Sequence, residues 1–219
     1  MLRHIPNALT ASRLLLAFVF FGILSYYQNE SPLSGRGDVG WLNLAFFVYL
    51  VALATDFLDG YLARRWKAEG AFGRIVDPFV DKVLVLGSFI FFAGKNFTIP
   101  WPNPTETPTN VKTITGVVPW MVVVILAREL LVTSLRGASE SSNQAYGAQF
   151  SGKLKMTFQS VTILVILLYV NYRDRFSTDA EIDFRDFRDF CIWATVAITV
   201  ISGLLYVRDA VRLFRRGRV

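Results

Sequence analysis

Six apolar stretches, each near the roughly 20 residues that a helix needs to cross a bilayer, leave this chain few ways to fold. They run from about Leu9 to Tyr27, Trp41 to Arg64, Pro78 to Phe97, Val117 to Arg136, Lys153 to Tyr172 and Phe190 to Val207. None alternates with the period of two that membrane strands require. The expected fold is an all-α membrane protein: a bundle of about six transmembrane helices, one integral membrane domain over residues 1–219, with an active-site cavity facing the cytoplasm. Composition agrees, with 53% of residues hydrophobic and a mean hydropathy of +0.41. The first stretch is followed by Gln28, Asn29 and Glu30, not by a small-residue cleavage site, so it reads as a retained helix.

The loops set the orientation. Arg3, Arg13, Arg64, Arg65, Lys67, Arg74, Arg136, Lys153, Lys155, Arg212, Arg215, Arg216 and Arg218 all fall on one side if the helices alternate across the membrane. The opposite loops, Gln28–Gly40, Thr98–Gly116 and Arg173–Asp189, are mixed or acidic. The positive-inside rule then puts both termini in the cytoplasm. The net charge of +6 reads as loops facing anionic membrane lipids, with no nucleic-acid partner expected.

Two scarcities narrow the chemistry. Cys191 is the only cysteine and His4 the only histidine, which disfavours a histidine or cysteine zinc site and a Ser-His-Asp triad. Carboxylates, cations and hydroxyls remain.

The carboxylates gather in TDFLDGYLARRWKAEGAFGRIVDPFVD, residues 55–81. Asp56 and Asp59 are spaced i, i+3 and share a face of the second helix; Asp77 and Asp81 are spaced i, i+4 and share a face of the third. Helices joined by so short a connector can be antiparallel neighbours and bring the four together. Asp56 lies eight positions before Arg64, about 12 Å deeper at 1.5 Å per residue. Four bare carboxylates in a low dielectric would repel and take up protons. Hard divalent cations reverse that, and magnesium takes oxygen ligands and substrate phosphates together. The expectation is a site for one or two Mg2+ or Mn2+ ions, two being favoured. The plainer alternative is that the aspartates pair with Arg64, Arg65, Arg74 and Lys82. Gly60 on a helix permits close approach, Arg64 can fork onto a diphosphate, Gly73 frees the connector to turn, and Pro78 fits a first helical turn.

The pattern Asp56-x2-Asp59-Gly60-x2-Ala63-Arg64-x8-Gly73-x3-Asp77-x3-Asp81 resembles the signature of the CDP-alcohol phosphotransferases at every fixed position. The resemblance extends over nearly the whole chain. It implies transfer of a phosphatidyl group from a CDP-linked donor to an alcohol, by direct attack, with release of CMP. It implies that Asp56, Asp59, Asp77 and Asp81 hold the metals and that Asp81 is also the general base. It implies that Gly60, Arg64 and Gly73 border the donor, with Asn7 and Thr10 of Pro6-Asn7-x2-Thr10 beside the nucleotide. Gly70 stands where some relatives carry a hydroxyl residue. A homodimer is the implied assembly, and a bacterial inner membrane the implied location.

ILARELLVTSLR and SGKLKMTFQ are similar to segments of the phosphatidylglycerophosphate synthase branch, which joins CDP-diacylglycerol to glycerol 3-phosphate. Arg128, Arg136, Lys153 and Lys155 could make a basic pocket for the phosphate of such an acceptor. An Arg128–Glu129 brace and headgroup-seeking lysines are the structural alternative. Adjacent residues do not face each other on a helix, so Glu129 is expected to have another partner. Inositol phosphate, serine or phosphatidylglycerol are the other acceptors to weigh. A divalent-cation transporter would spread polar residues through both membrane halves, whereas here they cluster on one.

Overall fold

The computed structural model describes the backbone of residues 5–27, 39–66, 71–98, 113–141 and 150–216; side chains at 5–10, 39, 57, 59–66, 71–78, 81, 138–141, 150–153 and 213–216 lie outside that description. The described residues form six α-helices: α1 (Ile5–Tyr26), α2 (Val39–Trp66), α3 (Ala71–Phe92), α4 (Pro119–Ser141), α5 (Phe150–Tyr172) and α6 (Thr178–Arg216). The helices pack in a ring, in the order α1, α2, α5, α6, α4, α3 and back to α1, with α3 also touching α5. Among the described residues α2 and α3 therefore meet chiefly through α1 and α5, not as the direct antiparallel pair that their short connector suggested.

The core runs along the inside of this ring. Phe20, Tyr49, Phe89, Phe92 and Phe97 are fully buried, and Phe20 and Tyr49 meet with ring centroids 5.4 Å apart. The outside is apolar as well. Phe47, Val123, Phe190 and Leu204 are each more than half exposed. So much outward apolar surface is stable against lipid and unstable against water. Two helical stretches, Leu154–Arg175 and Thr178–Arg212, are long and apolar enough to cross a membrane. The apolar helical parts of α1, α2 and α3 among the described residues are shorter, at Ala11–Tyr26, Gly40–Asp56 and Lys82–Phe92.

Two helix starts differ most from the sequence reading. The third helix begins at Ala71, not at Pro78, so Gly73 is helical and not part of a turning connector, and Pro78 sits inside the helix. The sixth begins at Thr178, where the sequence reads as a charged loop to Asp189. The physical reason lies in its inward face. Asp179 and Glu181 occupy the first turn, where carboxylates complement the helix dipole. Phe184 packs edge-on against Tyr169 and Phe176. One turn on, Arg188 is buried; its Nη1 donates to the Ile114 carbonyl at 2.6 Å, and its guanidinium lies 4.2 Å from the Tyr169 ring centroid. Residues four apart thus fix a helix that looks polar on average. The proline-rich segment with Pro100, Pro102, Pro104 and Pro108 lies outside the described residues; its flanks are joined by a bridge between Thr98 and Thr113.

Gly87 lets α1 and α3 approach. A Cβ there would stand 2.2 Å from the tip of the Phe21 ring, which stacks on Phe91 at 5.4 Å. Gly87→Ala is expected to swing that ring out of its stack and destabilise the fold by ~1–3 kcal/mol. Thermal unfolding in detergent checks this, and an unchanged melt would mean that the ring yields freely.

Candidate functional site

Asp56 stands at the end of the apolar part of α2, and its side chain is 39% exposed. Its Oδ1 lies 2.8 Å from Nη1 of Arg13, whose side chain is only 2% exposed. The described cation comes from α1; the side chains of Arg64, Arg65 and Arg74 lie outside the description. Lys82 instead donates its Nζ to Thr133 Oγ1 of α4 at 2.6 Å. The sequence reading counted Arg13 only as a flanking charge. The signal was available: an arginine within an apolar run needs a partner.

Arg13 and Asp56 form the charged end of a cavity of about 500 Å³ between α1, α2, α3 and α5. Its walls are mostly apolar, with Leu53, Leu84, Val85 and Met156 among them. Leu50, Met156 and Val161 lie on its rim and are also exposed on the apolar outer surface. The cavity thus joins an ion pair to the surface that faces lipid.

Of the expected metal ligands, Asp56 alone has a described side chain. Asp59 lies on α2, and Asp77 and Asp81 on α3, with helical backbones and side chains outside the description. The same holds for the expected donor contacts Asn7, Thr10, Gly60, Arg64 and Gly73. Among the described residues no three His, Cys, Asp or Glu side chains gather. The chemistry of the donor set nonetheless fits a hard cation: oxygen ligands only, beginning with a half-exposed carboxylate beside a cavity.

A second cluster joins α4, α5 and α6. Glu129 is buried, and its Oε1 accepts from Arg128 Nη1 at 3.0 Å and from Lys155 Nζ. Lys155 is the further partner expected for Glu129, and the neighbouring Arg128 reaches the same oxygen. Lys155 is itself buried, not reaching for headgroups. Arg136, two turns on from Arg128, donates to Tyr206 Oη of α6 at 2.9 Å. The guanidinium carbons of Arg128 and Arg136 lie 5.5 and 5.7 Å from the Tyr206 ring centroid. The structure thus brings Arg128, Arg136 and Lys155 together; the Lys153 side chain lies outside the description. Glu129 and Tyr206, absent from the expected pocket, hold the cations in it. Thr133 ties this cluster to α3: it accepts from Lys82 and donates to the Glu129 carbonyl at 2.7 Å.

Comparison with known proteins agrees with this geometry. Residues 3–201 match the family model described as CDP-alcohol phosphatidyltransferase. The chain is 27% identical over 205 residues to the CDP-diacylglycerol–glycerol-3-phosphate 3-phosphatidyltransferase of Bacillus subtilis, covering 93% of each protein. It is 31% identical over 167 residues to the protein of the same name from Cereibacter sphaeroides, covering 75% of this chain and 63% of that one. It is 29% identical over 209 residues to a probable phosphatidylglycerophosphate synthase of Mycobacterium tuberculosis, covering 95% of this chain and 82% of that one.

Proposed function

Because the chain belongs to the CDP-alcohol phosphatidyltransferase family, we propose that it transfers the phosphatidyl group of CDP-diacylglycerol to glycerol 3-phosphate, giving phosphatidylglycerophosphate and CMP. One observation carries the donor half of this reading. A cavity with an ion pair at one end and apolar walls opening toward lipid fits a substrate with an anionic head and acyl chains. The names of the most similar relatives favour glycerol 3-phosphate as the acceptor.

In this reading Asp56, Asp59, Asp77 and Asp81 hold two Mg2+ or Mn2+ ions. Bound there, the ions supply neutralising charge for the diphosphate and for the departing CMP. Arg13 fixes the Asp56 carboxylate through the 2.8 Å contact. Arg64 forks onto the diphosphate, while Gly60, Gly73, Asn7 and Thr10 border the nucleotide. Asp81 takes the proton from the acceptor hydroxyl, which attacks the phosphorus nearest the lipid as the bond to CMP breaks. Arg128, Arg136, Lys153 and Lys155 hold the acceptor phosphate. The protein acts as a six-span homodimer in a bacterial inner membrane, with termini and site on the cytoplasmic side.

The test is CMP release by the purified protein with CDP-diacylglycerol, magnesium and a panel of acceptors. Glycerol 3-phosphate is expected to be turned over in preference to glycerol, serine, inositol phosphate and phosphatidylglycerol. Glycerol serving as well as glycerol 3-phosphate would discard the phosphate pocket.

A further inference from the structure

Arg128 uses only one of its three guanidinium nitrogens. Nη1 is bound to Glu129, while Nε and Nη2 are buried and find no acceptor among the described residues. Its side chain is only 8% exposed, so water cannot freely take their place. An arginine with two buried, unanswered donors carries a cost that a ligand would remove. The two donors are adjacent: Nε and Nη2 form one edge of the planar group, the fork that takes two oxygens of a phosphate or carboxylate at once.

The rest of the side chain is held on every side. Glu129 occupies the opposite nitrogen and is shared with Lys155 of α5. Tyr206 of α6 covers the guanidinium with its ring, 5.5 Å away. Gly203, on the same face of α6, presses against the stem. A Cβ on Gly203 would lie 3.0 Å from Arg128 Cγ, so any side chain there pushes the stem aside. Gly203 and Tyr206 are three residues apart and so act on Arg128 together.

We propose that Glu129, Gly203 and Tyr206 are positioning residues that hold Arg128 with its Nε–Nη2 edge unpaired as a bidentate seat for the acceptor's phosphate monoester. The inference rests on the reading above in one respect, that the acceptor carries a phosphate. Glu129 has two effects here. It neutralises one charge of the Arg128–Lys155 pair, so that two cations can share a buried site without a bound ligand. It also turns the guanidinium, so that the fork and not a single nitrogen meets the ligand. A bidentate seat selects a phosphate monoester over a neutral alcohol by geometry as well as by charge.

The experiment uses the full chain in detergent and three variants that keep the charge count. Arg128→Lys keeps the cation and removes the fork, Glu129→Asp draws the carboxylate back by one methylene, and Gly203→Ala pushes the stem. Each is compared with wild type for glycerol 3-phosphate binding by calorimetry, and for the KM of each substrate and kcat in CMP release. All three are expected to weaken glycerol 3-phosphate binding and raise its KM by about tenfold, the loss of one charge-assisted contact. The CDP-diacylglycerol KM should stay within about twofold. Should Glu129→Asp fail to fold, Gly203→Ala still reads the seat. Acceptor binding unchanged in Arg128→Lys and Gly203→Ala overturns the proposal, as do equal losses for both substrates. Wild type that binds glycerol 3-phosphate through Arg128 without releasing CMP supports the seat and discards the assigned reaction. Wild type that neither binds nor turns it over discards both.

Discussion

Asp56→Asn is expected to abolish CMP release while the helices still fold. The amide is nearly the same size but carries no charge, so the proposed cations would lose an anionic ligand. The charge stabilisation that a metal brings to phosphoryl chemistry is worth several kcal/mol, so turnover should fall by about a thousandfold or more. The change also removes the 2.8 Å ion contact to Arg13, which is 2% exposed. Breaking a fully buried pair costs ~3–5 kcal/mol. Asp56 is 39% exposed, so water recovers part of that cost and the fold should survive. The two effects separate when CMP release and thermal unfolding are measured on the same preparation. Excess chelator on wild type should reproduce the lost turnover. Full turnover in chelator would remove the metals from the mechanism.

How much of this could be read in the sequence differs from element to element. The helices of the ring were legible, because long apolar runs have one solution in lipid. The start of α6 was not. Asp179, Glu181, Asp183, Arg185 and Asp186 give it the composition of a loop, and only the inward pair Phe184 and Arg188 makes it a helix. Helix order was hidden as well. The short connector suggested that α2 and α3 can be direct neighbours, but among the described residues they meet chiefly through α1 and α5. Which helices meet depends on side-chain packing, which a hydropathy pattern does not encode.

What is local was legible: the four aspartates fall on the helices expected for them. Asp56 and Asp59 share a helix face by spacing alone, as do Asp77 and Asp81. The long-range partners were not. Nothing near Asp56 in sequence points to Arg13, 43 positions earlier, and nothing near Arg128 points to Gly203 and Tyr206 on α6. Glu129 shows both sides of this. Its spacing told that Arg128 would not fill its needs, and only the fold supplied Lys155.

Asp81→Asn is the sharper test of the chemistry, because it separates binding from proton transfer. Lys82, the next residue, donates to Thr133 on the turn of α4 that begins at Glu129. The Lys82 side chain therefore ties α3, one residue after Asp81, to the helix that carries Arg128 and Glu129. An amide at this position can still lie against a cation through its oxygen but cannot take up a proton. Turnover is expected to drop by about 10²–10⁴, the usual contribution of a positioned base. Some CDP-diacylglycerol binding should persist through the other three aspartates and Arg64. The acidic limb of the wild-type pH profile should flatten in the variant, since the group that must be ionised there is gone. The measurements are donor binding at equilibrium and kcat/KM for glycerol 3-phosphate across pH. Lost donor binding, with residual turnover that keeps the wild-type pH profile, would make Asp81 a ligand alone and assign the proton to another group.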